Sequence, residues 1–466
     1  MSGTDFSAKR YLLECTQTSQ SELNTGIQRV VRNVVNCSLQ NKGQPVVPVQ
    51  FVNGHFFALP GPLALPQGFA KGHNLVQRRR WTPTMLAYLR NLYAALRQLA
   101  VALLPLPGFV RFVMAPRTVW GLSRLLLLPL QAWRALRNSP APLDASALAV
   151  GHGDVLVLLD SSWNLPIWYA VRTAKERGAK IICICYDLIP ITHPQFFDAP
   201  LVALFEAWMK QAMEVADGFV CISRAVAHGL RSQLDSKAPD RVGQVRISHF
   251  GLGSQLDGHT ATSHKQVALT PEIEHITSQQ VPVYLFVSTI EPRKNHAYAL
   301  DAFERLWADG SDAVFVIVGR IGWLCHDFVA RVREHSQFKR RLFMLNQATD
   351  TDLAALYKRA NGLIFTSITE GFGLPIVEAL QHGVPVFASD IPVFREIGEG
   401  QGITFVDLEN PESAARALAA HVSTGAPRLP KPVDWPGWSE STRQFWAALE
   451  DCLPDAFHTA QKKSAK

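Results

Sequence analysis

Acidic residues are missing from a long stretch of this chain: between Leu23 and Leu143 there is no Asp or Glu, while Arg and Lys recur. No C-x-x-C pair occurs among the seven cysteines, Cys15, Cys37, Cys183, Cys185, Cys221, Cys325 and Cys452. Odd in number and scattered, they argue against a disulfide framework or a zinc site and fit a reducing compartment. Cys183 and Cys185, two apart in an apolar run, read as same-face strand residues. No uninterrupted apolar run reaches the roughly 18 residues of a membrane-spanning helix. The first residues, MSGTDFSAKR, hold no apolar signal core, so export is not expected. A Walker-type loop and a G-x-S-x-G elbow are both absent.

What is there is apolar and mildly basic. Apolar residues make up 47% and charged residues 18% of 466, which suits a globular enzyme and excludes disorder. A net charge of +7 points to an anionic partner, whether a phosphate-bearing substrate, an acidic lipid or nucleic acid. Composition alone does not choose among these.

Short apolar runs alternate with helical patterns, the mark of a parallel sheet covered on both faces. In the first half, strands are expected at residues 11–13, 46–51, 155–159, 181–185, 219–222 and 244–247, with helices at 27–39 and 200–215. In the second half they are expected at 284–288, 314–318, 342–345, 363–366 and 385–388. Two such sets predict an α/β protein of two Rossmann-like, doubly wound domains facing across a cleft. The expected limits are 1–255 and 281–435, with a polar linker at 256–280 and a final helix at 436–456 crossing back to the first domain. Residues 78–140 break the pattern, mixing Arg with Leu, Trp and Phe. They read as a basic helical insertion lying in an anionic bilayer interface, or as an ordinary helical excursion. No aromatic-basic sheet motif accompanies them, so nucleic acid is not an expected partner.

The strongest local signal is the run Glu370, Gly371, Phe372, Gly373, Leu374, Pro375, Ile376, Val377, Glu378, followed by Gly383. It places a glycine-flanked loop at the carboxyl end of a strand and Pro375 at the start of a helix. Ligands of open α/β sheets bind at that edge, and a helix start favours an anion there. Glu370 at the loop mouth suits the hydroxyls of a sugar and Glu378 those of a ribose, because a carboxylate accepts charge-assisted bonds from neighbouring hydroxyls. The second signal is Ser288, Thr289, Ile290, Glu291, Pro292, Arg293, Lys294, where a buried strand turns into a helix. Two adjacent cations there match a diphosphate leaving group.

Together these strings resemble the family-four retaining glycosyltransferases (glycosyl transferases group 1) of GT-B fold, through the two glutamates eight apart, the E-G-F-G-L-P core and the cationic turn. The family often has an Arg where this chain has Thr289, so Arg293 is expected to carry that load. Asn24, Thr25, Gly26, Ile27, Gln28, Arg29 resembles the glycine loop by which the acceptor-side domain faces the donor phosphates. Tyr186, Asp187, Leu188, Ile189, Pro190 resembles the family's H-D-L-I-P segment with Tyr186 in the His position. Asp187 there reads as an acceptor-orienting group or as a satisfied strand-end acid. Ser223 reads as a helix cap, and residues 246–251 as the last strand and glycine turn of the first domain. Gly319 and Arg320 end a strand beside the expected nucleotide. Asp350 and Asp352 carry the Asp-x-Asp form of a manganese site but read as a helix start, and Gly251-x-Gly253 lacks the third glycine of a dinucleotide fingerprint.

The resemblance implies a retaining transfer without metal or cofactor. Arg293, Lys294 and the loop from Gly371 to Gly373 would hold the diphosphate, Glu370 the sugar and Glu378 the ribose, with Asp187 in the acceptor region. The implied donor is a nucleotide sugar, with GDP-mannose ahead of a dTDP- or UDP-sugar. The implied acceptor is a glycan or polyprenyl-diphosphate-linked precursor of a bacterial surface polysaccharide. The expected setting is the cytoplasmic face of the membrane, peripherally bound. The rival expectations are a silent nucleotide-binding subunit of glycan assembly and a nucleotide-sugar epimerase of similar fold.

Overall fold

The computed structural model describes residues 10–21, 25–41, 45–64, 147–254, 269–398, 400–410 and 412–453. The basic insertion expected at 78–140 lies outside them, as do Asn24 and most of the expected linker. The described chain builds two sheets. The first holds β1 (Arg10–Glu14), β2 (Val46–Val52), β3 (His55–Ala58), β4 (Asp154–Leu158), β5 (Lys180–Cys185), β6 (Gly218–Cys221) and β7 (Arg246–His249). Their order is β3-β2-β1-β4-β5-β6-β7, and all pair in parallel except the edge strand β3. The second holds β8 (Val283–Val287), β9 (Val314–Val318), β10 (Leu342–Leu345), β11 (Gly362–Phe365), β12 (Val386–Ser389) and β13 (Ile403–Val406), in the order β10-β9-β8-β11-β12-β13, parallel throughout.

The sequence forms these strands because they are apolar on both faces. Tyr11, Leu13, Val155 and Val157 enter one core layer, whereas Leu12, Leu156 and Leu158 enter the layer on the opposite face. Their buried backbone N–H groups find partners in the ladders between neighbouring strands. Two strands were not expected from the sequence. β3 is announced by Asn53-Gly54, which turn at φ 48° and 87° into a two-residue hairpin. β13 pairs with β12 at the sheet edge. The strand expected at 244–247 falls two residues later, at Arg246–His249. Within the expected linker, Pro271–Ser278 is a helix whose Ile273 and Ile276 are buried in the core.

Chain order reverses at two places. β1 lies between β2 and β4, and β8 lies between β9 and β11. The crevice beyond the carboxyl ends of such strands is where open α/β sheets take ligands. The turns after β8 and β11 are the two segments that carried the strongest sequence signals.

Helix Trp438–Asp451 packs on helix Gly26–Gln40 of the first domain. The Trp446 indole N–H donates to Ser38 Oγ at 2.9 Å, and its ring meets Tyr11 edge-on at 4.8 Å. Among the described residues no helix is long and apolar enough to cross a membrane.

Candidate active site between the two domains

The turn after β8 is a single 3-10 turn, Pro292–Lys294, closed by Asn295 in the left-handed region at φ 56°. That geometry points Arg293 and Lys294 toward the turn after β11. Two hydrogen bonds tie the turns together: Ile368 N–H donates to Arg293 O at 2.8 Å, and the Thr366 hydroxyl to Asn295 O at 3.0 Å. Glu370 then lies between the two cations. Arg293 Nη1 is 2.8 Å from its Oε2, Lys294 Nζ pairs with its Oε1, and Arg293 Nη1 also donates to Thr369 O at 3.1 Å. The Arg293 Nε meets Glu291 Oε1 at 2.7 Å, and the ammonium of Lys294 sits 5.2 Å from the centre of the Phe365 ring.

This cluster is largely withdrawn from water, with side-chain exposures of 16% for Arg293, 11% for Lys294 and 9% for Glu370. Burial pushes the Glu370 carboxyl upward, but Arg293 and Lys294 outweigh it and hold it down to about 2. It is therefore ionised throughout the neutral range. Burial raises the carboxyls of Glu291 and of Asp187, in each case against the pull of Arg293. A desolvated cation pair with acids on either side is the charge pattern an incoming diphosphate can enter by exchange, since breaking such pairs without replacement is strongly destabilising.

Asp187 follows β5 of the first domain, is half-buried, and accepts the Ile189 N–H at 3.0 Å. It lies against the glycine loop. A Cβ added at Gly371 would overlap the Tyr186 carbonyl oxygen and come within 3.1 Å of Asp187 Cβ. Gly371 is thus the point where the two domains touch backbone to backbone. The contact is locked by Ser223, whose hydroxyl donates to Gly371 O at 2.9 Å while accepting Val226 N–H at 3.1 Å as the helix cap. Tyr186 turns away, donating its hydroxyl to Leu159 O at 2.6 Å within its own domain.

The helix expected from Pro375 is Leu374–Gln381, preceded by Gly373 at φ 138°, a backbone conformation that favours glycine. Phe372 and Leu374 are buried, Phe372 with its ring 6.3 Å from that of Trp435. Glu378 is 2% exposed and ties three elements: its Oε1 takes Arg29 Nη1 at 2.7 Å, and its Oε2 accepts the Tyr357 hydroxyl at 3.0 Å. Gly26 opens its helix with open space where a side chain would stand, and Thr25 and Gln28 form a capping box over that start. Gly319, at φ 148°, is needed for packing inside the domain, since a Cβ there would overlap the Ser288 carbonyl. Thr289 and Arg320 are half-buried beside it, and Ile290 N–H donates to Arg320 O at 2.8 Å.

Four residues escaped the sequence reading. Arg29 and Glu291 lie inside the sequence motifs but carried no role there, and Tyr357 was given none. Glu396 had no signal at all, because its partners lie 171 and 172 residues away. The Asp-x-Asp string is a helix start, with the cap at Thr349 rather than Asp350: Asp352 accepts Thr349 N–H at 3.0 Å and Thr349 Oγ accepts Asp352 N–H at 3.1 Å. Among the described residues no group of three His, Cys, Asp or Glu side chains is placed to hold a metal ion.

Residues 272–428 match the family model described as glycosyl transferases group 1. The serotype-specific mannosyltransferase WbdA of Escherichia coli is 31% identical over 317 residues, covering 65% of this chain and 38% of that protein. The O-antigen chain mannosyltransferase RfbU of Salmonella typhimurium is 30% identical over 136 residues, covering 29% of this chain and 37% of that protein. The chain thus spans less than two thirds of the length of these relatives. Among solved structures, sucrose-phosphate synthase from Thermosynechococcus elongatus matches with a TM-score of 0.51 at 14% identity, over 98% of this chain and 100% of that one. Anabaena HepE, crystallised with UDP and glucose, matches with a TM-score of 0.50 at 13% identity over the same shares. At such identities the likeness concerns the fold. Residues 272–428 are thus similar to the glycosyl transferases group 1, and the two parallel sheets share the fold of these GT-B structures.

Proposed function

We propose that the chain is a retaining glycosyltransferase that moves mannose from GDP-mannose to a lipid-linked or surface-glycan acceptor in bacterial polysaccharide assembly. The observation that carries this reading is the Arg293–Lys294–Glu370 cluster at the β8–β11 switch point. WbdA and RfbU are both named mannosyltransferases, which supports mannose as the sugar.

In this reading the diphosphate enters between Arg293 and Lys294 and partly displaces Glu370. The carboxylate is then free to accept hydroxyls of the donor sugar, while the cations stabilise the negative charge that grows as the glycosidic bond breaks. The acceptor hydroxyl attacks from the face the diphosphate leaves, and a phosphate oxygen takes its proton. Asp187, close to the glycine loop, orients the acceptor. The protein works peripherally at the inner face of the cytoplasmic membrane, where such acceptors are presented.

The test is release or transfer of sugar from GDP-mannose, dTDP-rhamnose and UDP-glucose by the full chain, repeated with Glu370→Ala and Lys294→Ala. Turnover with GDP-mannose should drop by roughly 100-fold or more in both variants, as for other losses of transition-state charge stabilisation. Turnover that ignores both substitutions removes the assignment. Isomerised sugar nucleotide in the absence of acceptor would make the protein an epimerase.

A further inference from the structure

We infer that Trp323 and Phe197 form an aromatic platform on the rim of the candidate active site, which stacks on a pyranose ring of the acceptor glycan. The inference rests on the transferase reading above and deepens it by naming an acceptor subsite.

Exposed apolar side chains gather at one edge of the second sheet. Among the described residues seven large ones are exposed, and four of them, Ile321, Trp323, Leu324 and Ile368, lie in the turns after β9 and β11. A patch of this kind beside a cleft marks a surface that meets a ligand or a partner. Both turns are bonded to the cationic turn after β8. Gly322 N–H donates to Ile290 O at 2.9 Å, next to Glu291, and Ile368 N–H donates to Arg293 O at 2.8 Å. The patch is thus continuous with the turn that carries Arg293 and Lys294.

The turn after β9 is built to hold its indole in place. Gly322 packs so closely that a Cβ there would stand 2.7 Å from Ile290 O. Leu324 follows at φ 51°, a conformation that a bulky side chain rarely adopts and that persists where the surroundings fix it, as at binding sites. Between them Trp323 crosses to the first domain. Its indole N–H donates to Phe196 O at 2.8 Å, and its ring lies 5.9 Å from that of Phe197, tilted by 32°. Phe196 is itself stacked on His193, with ring centres 6.0 Å apart. Trp323 is 42% exposed, and because its one side-chain donor is already used, the ring offers only an apolar surface.

What such a surface takes is set by what stands beside it. Gln195 and Asp198 flank the two phenylalanines, Asp327 follows Trp323 closely in the chain, and all three are exposed. A pyranose presents C–H groups on one face and hydroxyls around its edge, so aromatic rings bordered by carboxylates and an amide match both. An anionic lipid surface fits worse, because two carboxylates border the rings. The first-domain segment runs from Asp187, the acceptor-orienting group of the reading above, through the short helix Ile189–Thr192 to Phe197. A glycan whose attacking ring lies at Asp187 reaches the platform with a ring farther from the reaction.

Isothermal titration of the full chain with methyl α-mannoside, α-linked mannobiose and α-linked mannotetraose tests the platform. The proteins compared are the parent, Trp323→Ala, Trp323→Phe and Phe197→Ala. The parent should bind the tetrasaccharide more tightly than the monosaccharide. Trp323→Ala and Phe197→Ala should each weaken the tetrasaccharide by about tenfold, the order of one aromatic contact, and the monosaccharide far less. Trp323→Phe keeps a ring face without the indole N–H and should recover most of the loss, which a role confined to the bond with Phe196 would not allow. Equal affinities in parent and Trp323→Ala, equal losses in Trp323→Ala and Trp323→Phe, or no saccharide binding by the parent each overturn the inference. Sedimentation with phosphatidylglycerol–phosphatidylethanolamine vesicles that is lost in Trp323→Ala while saccharide binding is kept would make the patch a membrane contact and overturn it as well. Failure of the transferase reading shows separately, as a parent that releases no mannose from GDP-mannose. Tetrasaccharide binding through Trp323 would then still be measured, but its acceptor role would be overturned.

Discussion

Glu396 of the second domain caps a helix of the first: its carboxylate oxygens accept the backbone N–H groups of Arg224 at 2.8 Å and Ala225 at 2.9 Å. Helix Arg224–Lys237 thus receives a carboxylate at its positive end from a residue in another domain, in addition to the Ser223 hydroxyl of its own. The Arg224 guanidinium stands 3.8 Å from the same carboxylate and is largely exposed. Glu396→Ala should cost about 1–2 kcal/mol in urea unfolding, the usual range for a lost charged cap. It should also enlarge the radius of gyration in solution scattering, because the cap is an interdomain bond. Glu396→Gln keeps an acceptor oxygen and should lose less. Equal unfolding midpoints in all three proteins would show the cap to be idle.

Gly371 is where backbone meets backbone between the domains. Gly371→Ala places a methyl group on the Tyr186 carbonyl, and both partners are backbone, so neither can step aside cheaply. The domains must shift by a fraction of an ångström to an ångström. A misplacement of that size costs on the order of 100-fold in rate. Gly373→Ala is the informative comparison, since its φ of 138° strains any side chain in place. That variant should lose thermal stability first. A fully active Gly371→Ala protein would mean that catalysis tolerates a wider gap than the one seen here.

His296 gives the protein an acid-sensitive element. It is buried, lies against Phe286 with ring centres 4.2 Å apart, and shares a hydrogen bond of 3.1 Å with Ser288 Oγ. Burial, then the nearby Lys294, pulls its imidazole down to about 3. The unfolded chain therefore binds the extra proton between pH 6.5 and 3 while the native state refuses it. Stability falls as pH drops through that window and is flat on this account outside it. His296→Phe removes the titration, so its unfolding free energy should gain on the parent by up to about 1.4 kcal/mol per pH unit between 6.5 and 4. A difference that does not vary with pH would contradict the assignment.

Glu14 acts in the opposite direction. Its fully buried carboxyl accepts Thr16 N–H at 2.9 Å and the Ser162 hydroxyl at 2.8 Å. Burial, then the neighbouring Asp160, pushes it up to about 7. For a raised acid, the stabilising contribution is complete below the unfolded value near 4.5 and is lost as pH rises through 7. Glu14→Gln keeps the acceptor for Thr16 and cannot ionise, and the Ser162 hydroxyl can rotate to accept from the amide. The variant should therefore gain stability relative to the parent as pH goes from 5 to 8. A gap that narrows over that range would reverse the sign and exclude the protonated form.

The two sheets were readable from residues alone because a strand buried on both faces must be apolar throughout, and all eleven expected runs overlap strands of the structure. The cationic turn and the glycine loop were readable for a similar local reason: each is a continuous string placed at a strand end. β3 could have been read from Asn53-Gly54, where the backbone needs positive φ at two successive residues. What the sequence could not give is pairing over distance. Arg29 and Glu378 are 349 positions apart, and Arg224 and Glu396 are 172 apart. Neither pair is hydrophobic or periodic, so no local pattern marks it. Only the folding of both sheets sets these groups face to face, and at Arg29 and Glu378 low exposure makes an unpaired member costly. The glycines divide along the same line. Chain composition marks all of them as turn formers, but tertiary contact decides that Gly371 serves the meeting of two domains and Gly319 the packing within one.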